Sequence, residues 1–209
     1  MKERLYNTAL LLSVITILYN IVEGGISVFF GIQDETLALF GFGADSFVEV
    51  MSGVGIAHMI LRMKRSGTEV VARDRFEWTA LKVTGTAFYL LTAGLIIGAV
   101  LTVIEGRSPD TTLVGVIISL ISIITMYFLM HYKLKVGHQL DSRAVIADAN
   151  CTRACFYLSF ILLASSGLYE LFHILYIDTA GALGIAWYAF REGREAWEDA
   201  GEDTEKELE

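Results

Sequence analysis

Residues 41–60 read GFGADSFVEVMSGVGIAHMI, a stretch apolar enough to cross a membrane that nevertheless contains two carboxylates. Asp45 and Glu49 are four residues apart, so on a helix they share one face and lie about 6 Å apart along the axis. A charged side chain at the centre of a bilayer costs about 2.5–3.5 kcal/mol even on the most lenient insertion scale. Two acids in this position therefore indicate a functional site rather than a structural detail.

The rest of the chain repeats this apolar character. It is 54% hydrophobic and contains one proline, and its apolar stretches are hydrophobic all round, as helices that span roughly 30 Å of hydrocarbon must be. The stretches are residues 8–32, 37–63, 78–104, 112–132, 145–172 and 174–190. They predict an all-α membrane protein: a six-transmembrane-helix bundle at residues 1–192, followed by a short acidic cytoplasmic tail at residues 193–209.

Lysine and arginine are concentrated on one side of the predicted bundle. The connectors on this side hold a group of basic residues: Arg62, Lys64, Arg65, Arg73 and Arg75 after span two, and Lys133, Lys135 and Arg143 after span four. The connectors on the opposite side contain only Arg107. By the positive-inside rule both termini are expected in the cytoplasm. Compact connectors without targeting signals favour an integral, multi-pass protein of a prokaryotic cytoplasmic (inner) membrane.

Both cysteines of the chain, Cys151 and Cys155, lie in span five and share a helix face, with Asp148 one turn earlier. An intrahelical disulfide at this spacing has poor geometry, so free thiols are predicted. Counting from the span ends, Asp45 and Glu49 lie about 12 and 18 Å below the outer boundary, and the cysteines about 9 and 15 Å above the inner one. Because spans two and five run antiparallel, Asp45 is expected to face Cys155, and Glu49 to face Cys151.

Two oxygens and two sulfurs on facing helices form a plausible tetrahedral cage for a divalent metal. Carboxylate and thiolate are both zinc ligands, and the sulfurs favour softer ions over magnesium, calcium or manganese. When the metal leaves, such buried groups are expected to take up protons, which couples metal release to proton binding. Asp148 remains open as a ligand, a proton relay or a polar contact. Glu23 and Asn20 of span one are expected to form interhelical hydrogen bonds or to line the access path.

Taken together, these residues resemble the membrane domain of the cation diffusion facilitator metal transporters. The likeness covers residues 6–197 and rests on D-x-x-x-E in span two, SRAVIADANCTRAC entering span five, NIVEGGISVFFG, RFEW and DTAGALGIAWYAFREGREAW. It implies a transport site between spans two and five, with Asp45 and Glu49 in the span-two positions. Cys151 and Cys155 stand where that family usually has His and Asp, and Asp148 matches an Asp three residues before that His.

The resemblance implies a divalent transition-metal efflux transporter, with Zn²⁺ as the first candidate cargo and Cd²⁺ or Fe²⁺ as others. It would exchange metal for H⁺ by alternating access and act as a homodimer in the lipid bilayer. No resident cofactor, enzyme activity or nucleic-acid partner is expected. The unusual glutamate and cysteines leave the choice of metal open. Only the acidic tail follows span six, where the family has a cytoplasmic metallochaperone-like domain, so that domain is expected to be lacking and the usual mode of dimerisation is open too.

Two other functions are compatible with the same residues. The protein could be a non-transporting metal sensor or partner subunit that keeps this fold. It could also be a channel or proton-linked carrier for another solute, with Asp45 and Glu49 serving only as a proton relay. Structural explanations remain as well: the acids could pair with Lys82 of span three, and the cysteines could be small buried hydrophobic residues.

Overall fold

A computed structural model describes residues 2–66, 75–174 and 176–206, and within these ranges the chain forms six helices and no strand. Hydrocarbon offers no hydrogen-bond partner to a peptide group, so a chain this apolar satisfies its backbone within helices. In chain order the helices are α1 (Lys2–Gln33), α2 (Leu37–Ser66), α3 (Arg75–Glu105), α4 (Leu113–Leu140), α5 (Arg143–Phe172) and α6 (Ile177–Lys206). The predicted all-α membrane bundle is confirmed.

The sixth helix differs from the other five. Helices α1 to α5 each contain a segment long and apolar enough to cross a membrane, and α6 is not among these candidate spans of the described residues. The first half of α6 is apolar and its second half is rich in charge, because the helix continues through the predicted acidic tail as far as Lys206. The last three tail residues, and the stretch after α2 that holds Arg73, lie outside the described residues.

The bundle is built from three closely packed helix pairs: α1 with α2, α4 with α5, and α3 with α6. A glycine permits the close packing of α1 against α2. A Cβ atom at Gly43 would lie 2.7 Å from the backbone nitrogen of Val28 and 2.7 Å from Cβ of Ser27, so a side chain there would collide with α1. This close approach, two residues before Asp45, holds the acidic segment of α2 against α1.

The end of the bundle with the α1–α2 and α5–α6 connections is called here the outer end, following the predicted orientation. One apolar cluster lies toward this end and includes Phe42, Leu158 and Leu162. A second lies toward the inner end and includes Ile60 and Val145. Along α2 and α5, the acids and cysteines fall between these two clusters. The apolar layers therefore separate the polar centre from both ends of the bundle.

At the outer end, helix termini are capped by acids from other helices. Asp178 of α6 accepts a hydrogen bond from the backbone N–H of Leu37 at 2.8 Å, at the start of α2. Glu170 of α5 accepts from the backbone N–H of Thr112 at 2.5 Å and from the hydroxyl of Thr111 at 2.8 Å, where α4 begins. Exposed N–H groups of a helix start need such acceptors. These caps set the axial positions of α2 against α6 and of α4 against α5.

Candidate metal site between α2 and α5

Helices α2 and α5 bring Glu49 and Cys155 into direct contact. The thiol of Cys155 donates a hydrogen bond to Oε2 of Glu49, and the same oxygen accepts a second hydrogen bond from Nδ2 of Asn20 at 3.0 Å. All three residues are buried, with exposed fractions of 9% for Glu49, 2% for Cys155 and 1% for Asn20. Three helices, α1, α2 and α5, thus meet at one carboxylate oxygen in the interior of the bundle.

Asp45 lies one turn farther toward the outer end and is also buried. Its Oδ1 atom has no hydrogen-bond partner among the described residues, and neither has Oδ1 of Asn20. In the same part of the chain, no basic side chain forms an ion pair with Asp45 or Glu49; Lys82 instead lies against the ring of Trp78. Buried carboxylates whose oxygens still have free acceptor capacity and no counter-charge are suitable ligands for a cation.

Cys151 is directed elsewhere. Its sulfur lies 4.0 Å from the hydroxyl oxygen of Ser52, one turn closer to the inner end than Glu49. The predicted pairing of Asp45 with Cys155 and of Glu49 with Cys151 is therefore wrong by one helical turn. That prediction assumed that both spans start at the membrane boundary, whereas contacts at the helix ends, such as the Ser142 cap of α5, set the actual offset. Both cysteines are free thiols, as predicted.

The four predicted ligands are thus only partly assembled. Among the residues that the structure describes, no three histidine, cysteine, aspartate or glutamate side chains are close enough together to hold a metal ion. A cavity of about 10 Å³, roughly the space of one water molecule, lies toward the inner end beside Glu49. Its polar lining also includes Cys151, Asp148, Asn20 and the hydroxyls of Ser13, Thr16 and Thr152. This cavity links the Glu49 contact to Asp148.

Asp148 forms an ion pair with a buried lysine, Lys133. Its Oδ1 atom accepts a hydrogen bond from the ammonium of Lys133 at 2.9 Å, and its Oδ2 atom accepts one from the hydroxyl of Ser13 at 2.6 Å. The same ammonium donates to Oγ1 of Thr152 at 2.9 Å. Both oxygens of Asp148 are therefore engaged by donors of the protein, in a network that joins α1, α4 and α5.

The position of Lys133 corrects the sequence analysis, which placed this residue in the connector after span four. Helix α4 continues past it to Leu140, and Lys133 is fully buried. The apolar run does end just before Lys133, but a lysine can remain inside a membrane bundle when a carboxylate neutralises it. The partner, Asp148, lies on the next helix, so the pairing was not visible within the α4 segment.

Glu23 lies on α1 about one turn from Asn20. Its carboxylate accepts hydrogen bonds from the hydroxyl of Tyr19 at 2.8 Å and from the hydroxyl of Ser46 at 3.3 Å. Ser46 directly follows Asp45, so Glu23 connects α1 to the acidic segment of α2. Asn20 and Glu23 both make hydrogen bonds between helices, and both are buried next to the candidate ligands.

A further acid was missed by the sequence analysis. Glu192 of α6 is half-buried and interacts electrostatically with Asp45, Glu49 and Cys151. It falls at the predicted boundary of the acidic tail, in the polar segment REGRE, where a single acid does not stand out. The available signal was helical spacing: Ile185 and Ala189 lie on the buried stripe of α6, and Glu192 is the next residue along it.

Comparison with known proteins adds one finding. The cation efflux transmembrane domain matches residues 13–202 of the 209-residue chain, a range that extends from α1 into the last part of α6. No curated protein gives a significant match to the chain. The match covers most of the chain and agrees with the all-helical membrane bundle and its buried acids. The chain therefore belongs to the cation efflux family, the cation diffusion facilitators, which transport metal cations across membranes.

Proposed function

We propose that the protein exports a divalent transition-metal ion, first of all Zn²⁺, from the cytoplasm in exchange for H⁺. The observation that carries this proposal is the buried contact between Glu49 and Cys155, with Asp45 one turn away and, among the described residues, no basic side chain paired to either acid. A buried carboxylate beside a thiol, which becomes a thiolate when it loses its proton, matches the ligand chemistry of zinc. The cysteine sulfurs also favour Cd²⁺, with Fe²⁺ as a further candidate.

The ligand set proposed is Asp45, Glu49, Cys151 and Cys155. Loading the metal would displace the thiol proton that now lies between Cys155 and Glu49, and would draw the side chains of Asp45 and Cys151 toward them. Four ionised ligands around a dication would leave a net charge of −2, which is costly in a low-dielectric interior. At least one of the four groups would therefore keep a proton, and the others would exchange protons for the metal.

Three neighbouring residues would support these ligands. Asn20 would orient Glu49 through their hydrogen bond, and Glu23 would hold or relay a proton beside Asp45. Asp148, paired with Lys133, would shape the small cavity beside Glu49. Alternating access would then open this polar centre to one side at a time, because apolar clusters separate it from both ends.

The setting proposed is a homodimer in a prokaryotic cytoplasmic membrane, with both chain ends in the cytoplasm. Six antiparallel passes would bring both ends to one side, and the excess of lysine and arginine marks that side as the inner one. The homodimer rests on the family resemblance.

The test is metal uptake into sealed proteoliposomes with an acidic interior, measured with an internal metal-sensitive dye. The wild type is expected to accumulate Zn²⁺ only while the pH gradient persists, and Asp45→Ala is expected to abolish uptake. The matched control is Glu105→Gln, which removes an exposed acid at the end of α3. Parallel measurements with Cd²⁺, Fe²⁺ and Mn²⁺ rank the cargo. Metal binding without flux would favour the sensor, and uptake unchanged by replacing both cysteines with serine would favour another carrier.

A further inference from the structure

A lysine lies between two tryptophans where α3 and α6 pack against each other. The ammonium nitrogen of Lys82 is 3.8 Å from the centroid of the Trp78 ring and 5.2 Å from that of Trp197. Both distances are within the range of cation–π attraction. Trp78 is itself held in place, because its indole N–H donates to the backbone oxygen of Ala200 at 3.2 Å. The two rings thus fix the position of the Lys82 ammonium group.

The ammonium of Lys82 has no anionic partner among the residues that the structure describes. Among the described residues it forms no ion pair, whereas Lys133 pairs with Asp148 and Arg62 pairs with Glu77. Aromatic faces attract a cation but do not replace a hydrogen-bond acceptor, and an ammonium group has three donors. Within the described part of the chain, these donors meet no oxygen acceptor. The site therefore presents a localised positive charge that can still bind oxygens of an anion.

An open groove of about 310 Å³ continues from this charge along the surface of the bundle. Its lining is mainly apolar: Lys82 and Trp197 at one end, with Val83, Thr86, Ala87 and Leu90 beyond them. Leu90 is 70% exposed, so the groove opens toward the surroundings of the bundle and not toward its core. A positive charge at one end of an apolar slot is complementary to a molecule with an anionic head and a hydrocarbon chain.

The position along the helices fits the surface of a bilayer. Lys82 lies about 10 Å along α3 from its first residue, and Trp197 lies about 30 Å along α6 from Ile177, which is about the thickness of the hydrocarbon core. Lysine and tryptophan concentrate at this level, where a lysine extends its ammonium toward the headgroups. The groove then runs from the headgroup level into the hydrocarbon.

We propose that this groove binds one anionic phospholipid of the inner leaflet. The lipid phosphate would accept hydrogen bonds from the ammonium of Lys82 between the two tryptophans, and an acyl chain would lie along Val83, Ala87 and Leu90. A second copy of the chain is the other conceivable occupant. A two-fold contact through this groove would bring the Lys82 side chains of both copies together, and their like charges would oppose it.

The test uses the purified full chain in nanodiscs of phosphatidylcholine that contain the same mole fraction of either brominated phosphatidylglycerol or brominated phosphatidylcholine. Bromine quenches nearby tryptophan fluorescence. The background is Trp187→Phe, because Trp187 is 70% exposed and would respond to any lipid. Brominated phosphatidylglycerol is expected to quench more strongly, corresponding to about a fivefold local enrichment over phosphatidylcholine, the effect of one lysine at a membrane surface.

Three variants identify the residue responsible. Lys82→Gln is expected to make the two brominated lipids equally effective, and Lys82→Arg to preserve the preference. Lys135→Gln is the matched control, since Lys135 is an exposed lysine near the inner end of α4 without ion pairs in the described residues, and it should leave the preference unchanged. Size-exclusion chromatography confirms that each variant is folded.

Equal quenching by both lipids in the wild type, or a preference that survives Lys82→Gln, would overturn the proposal. So would protection from both lipids combined with cross-linking across α3, which would identify a second copy in the groove. The measurement requires no metal, so its failure is independent of the proposed transport function.

Discussion

Two groups of buried carboxylates in this bundle have opposite electrostatic surroundings. Asp148 has a built-in cation, Lys133, at 2.9 Å from Oδ1, and the hydroxyl of Ser13 donates to its Oδ2 atom. Asp45 and Glu49 are buried to a similar extent, but among the described residues their partners are neutral: an amide and a thiol for Glu49, and none for Oδ1 of Asp45. Glu49 of one group and Asp148 of the other line the same small cavity.

The difference suggests a division of roles. A carboxylate that is permanently neutralised by a lysine stabilises helix packing and competes poorly for a mobile cation, because binding would bring two positive charges together. Buried carboxylates without a counter-charge destabilise the folded protein until a proton or a metal ion binds to them. We therefore propose that the cation affinity lies at Asp45 and Glu49, and that the lysine removes it from Asp148.

The strongest test of this division is to remove the charge of Asp45 or of Glu49. Asp45→Asn or Glu49→Gln is expected to reduce Zn²⁺ uptake to background, at least about a 100-fold loss, since even residues behind a metal ligand contribute 10- to 100-fold. The measurement is initial uptake rate in proteoliposomes against metal concentration. Wild-type rates in either variant would remove these acids from the proposed site.

The second prediction concerns the built-in pair. Lys133→Met leaves Asp148 as an unpaired buried charge and is expected to cost about 3–5 kcal/mol in the free energy of unfolding. The double variant Lys133→Met with Asp148→Asn should recover most of this loss and retain Zn²⁺ uptake. Unfolding followed by circular dichroism in detergent measures the stability. A double variant that is stable but loses proton coupling would instead assign a proton relay to Asp148.

A smaller effect is expected from Asn20, which donates to Glu49. Asn20→Ala should raise the Zn²⁺ concentration for half-maximal uptake about tenfold, because the carboxylate loses the hydrogen bond that orients it. The control is Ser27→Ala, which removes a buried hydroxyl of the same helix that has no hydrogen-bond partner among the described residues. An equal effect of both substitutions would indicate general loosening of α1.

The last prediction concerns metal selectivity and separates the two cysteines. Cys155→Ser should reduce the preference for Cd²⁺ and Zn²⁺ over Mn²⁺ by about tenfold, because a hard oxygen replaces a soft sulfur. Cys151→Ser should change it less, since Cys151 contacts Ser52 and not Glu49. Competition between metals in the uptake assay measures both. The reverse order would show that Cys151 is the closer ligand in the metal-bound state.

Much of the fold was accessible from the sequence because it depends on local properties. Apolar segments such as residues 37–63 must be helical in a bilayer, so the helix count and the approximate limits of α1 to α3 follow directly. Prediction failed where a polar residue continued a helix. Lys133 ended the apolar run that predicted span four, although α4 continues past this residue to Leu140.

For the candidate site, spacing identified residues but not partners. The i, i+4 rule placed Asp45 with Glu49 and Cys151 with Cys155 on common faces. It could not determine which acid meets which thiol, since that requires the axial offset between α2 and α5 to within a single turn. Nor could it include Glu192, whose charge acts on Asp45 and Glu49 from α6, a helix that the predicted site did not involve.

The sequence alone therefore determined that this chain is a helical membrane bundle and which of its faces carry acids and thiols, because hydropathy and helical period are properties of each segment by itself. Only the tertiary structure decided that Glu49 meets Cys155, that Lys133 neutralises Asp148, and that Asp45 forms no ion pair with any described residue. These outcomes depend on the offsets between helices, which caps such as Asp178 and close contacts such as Gly43 impose from residues distant in the chain.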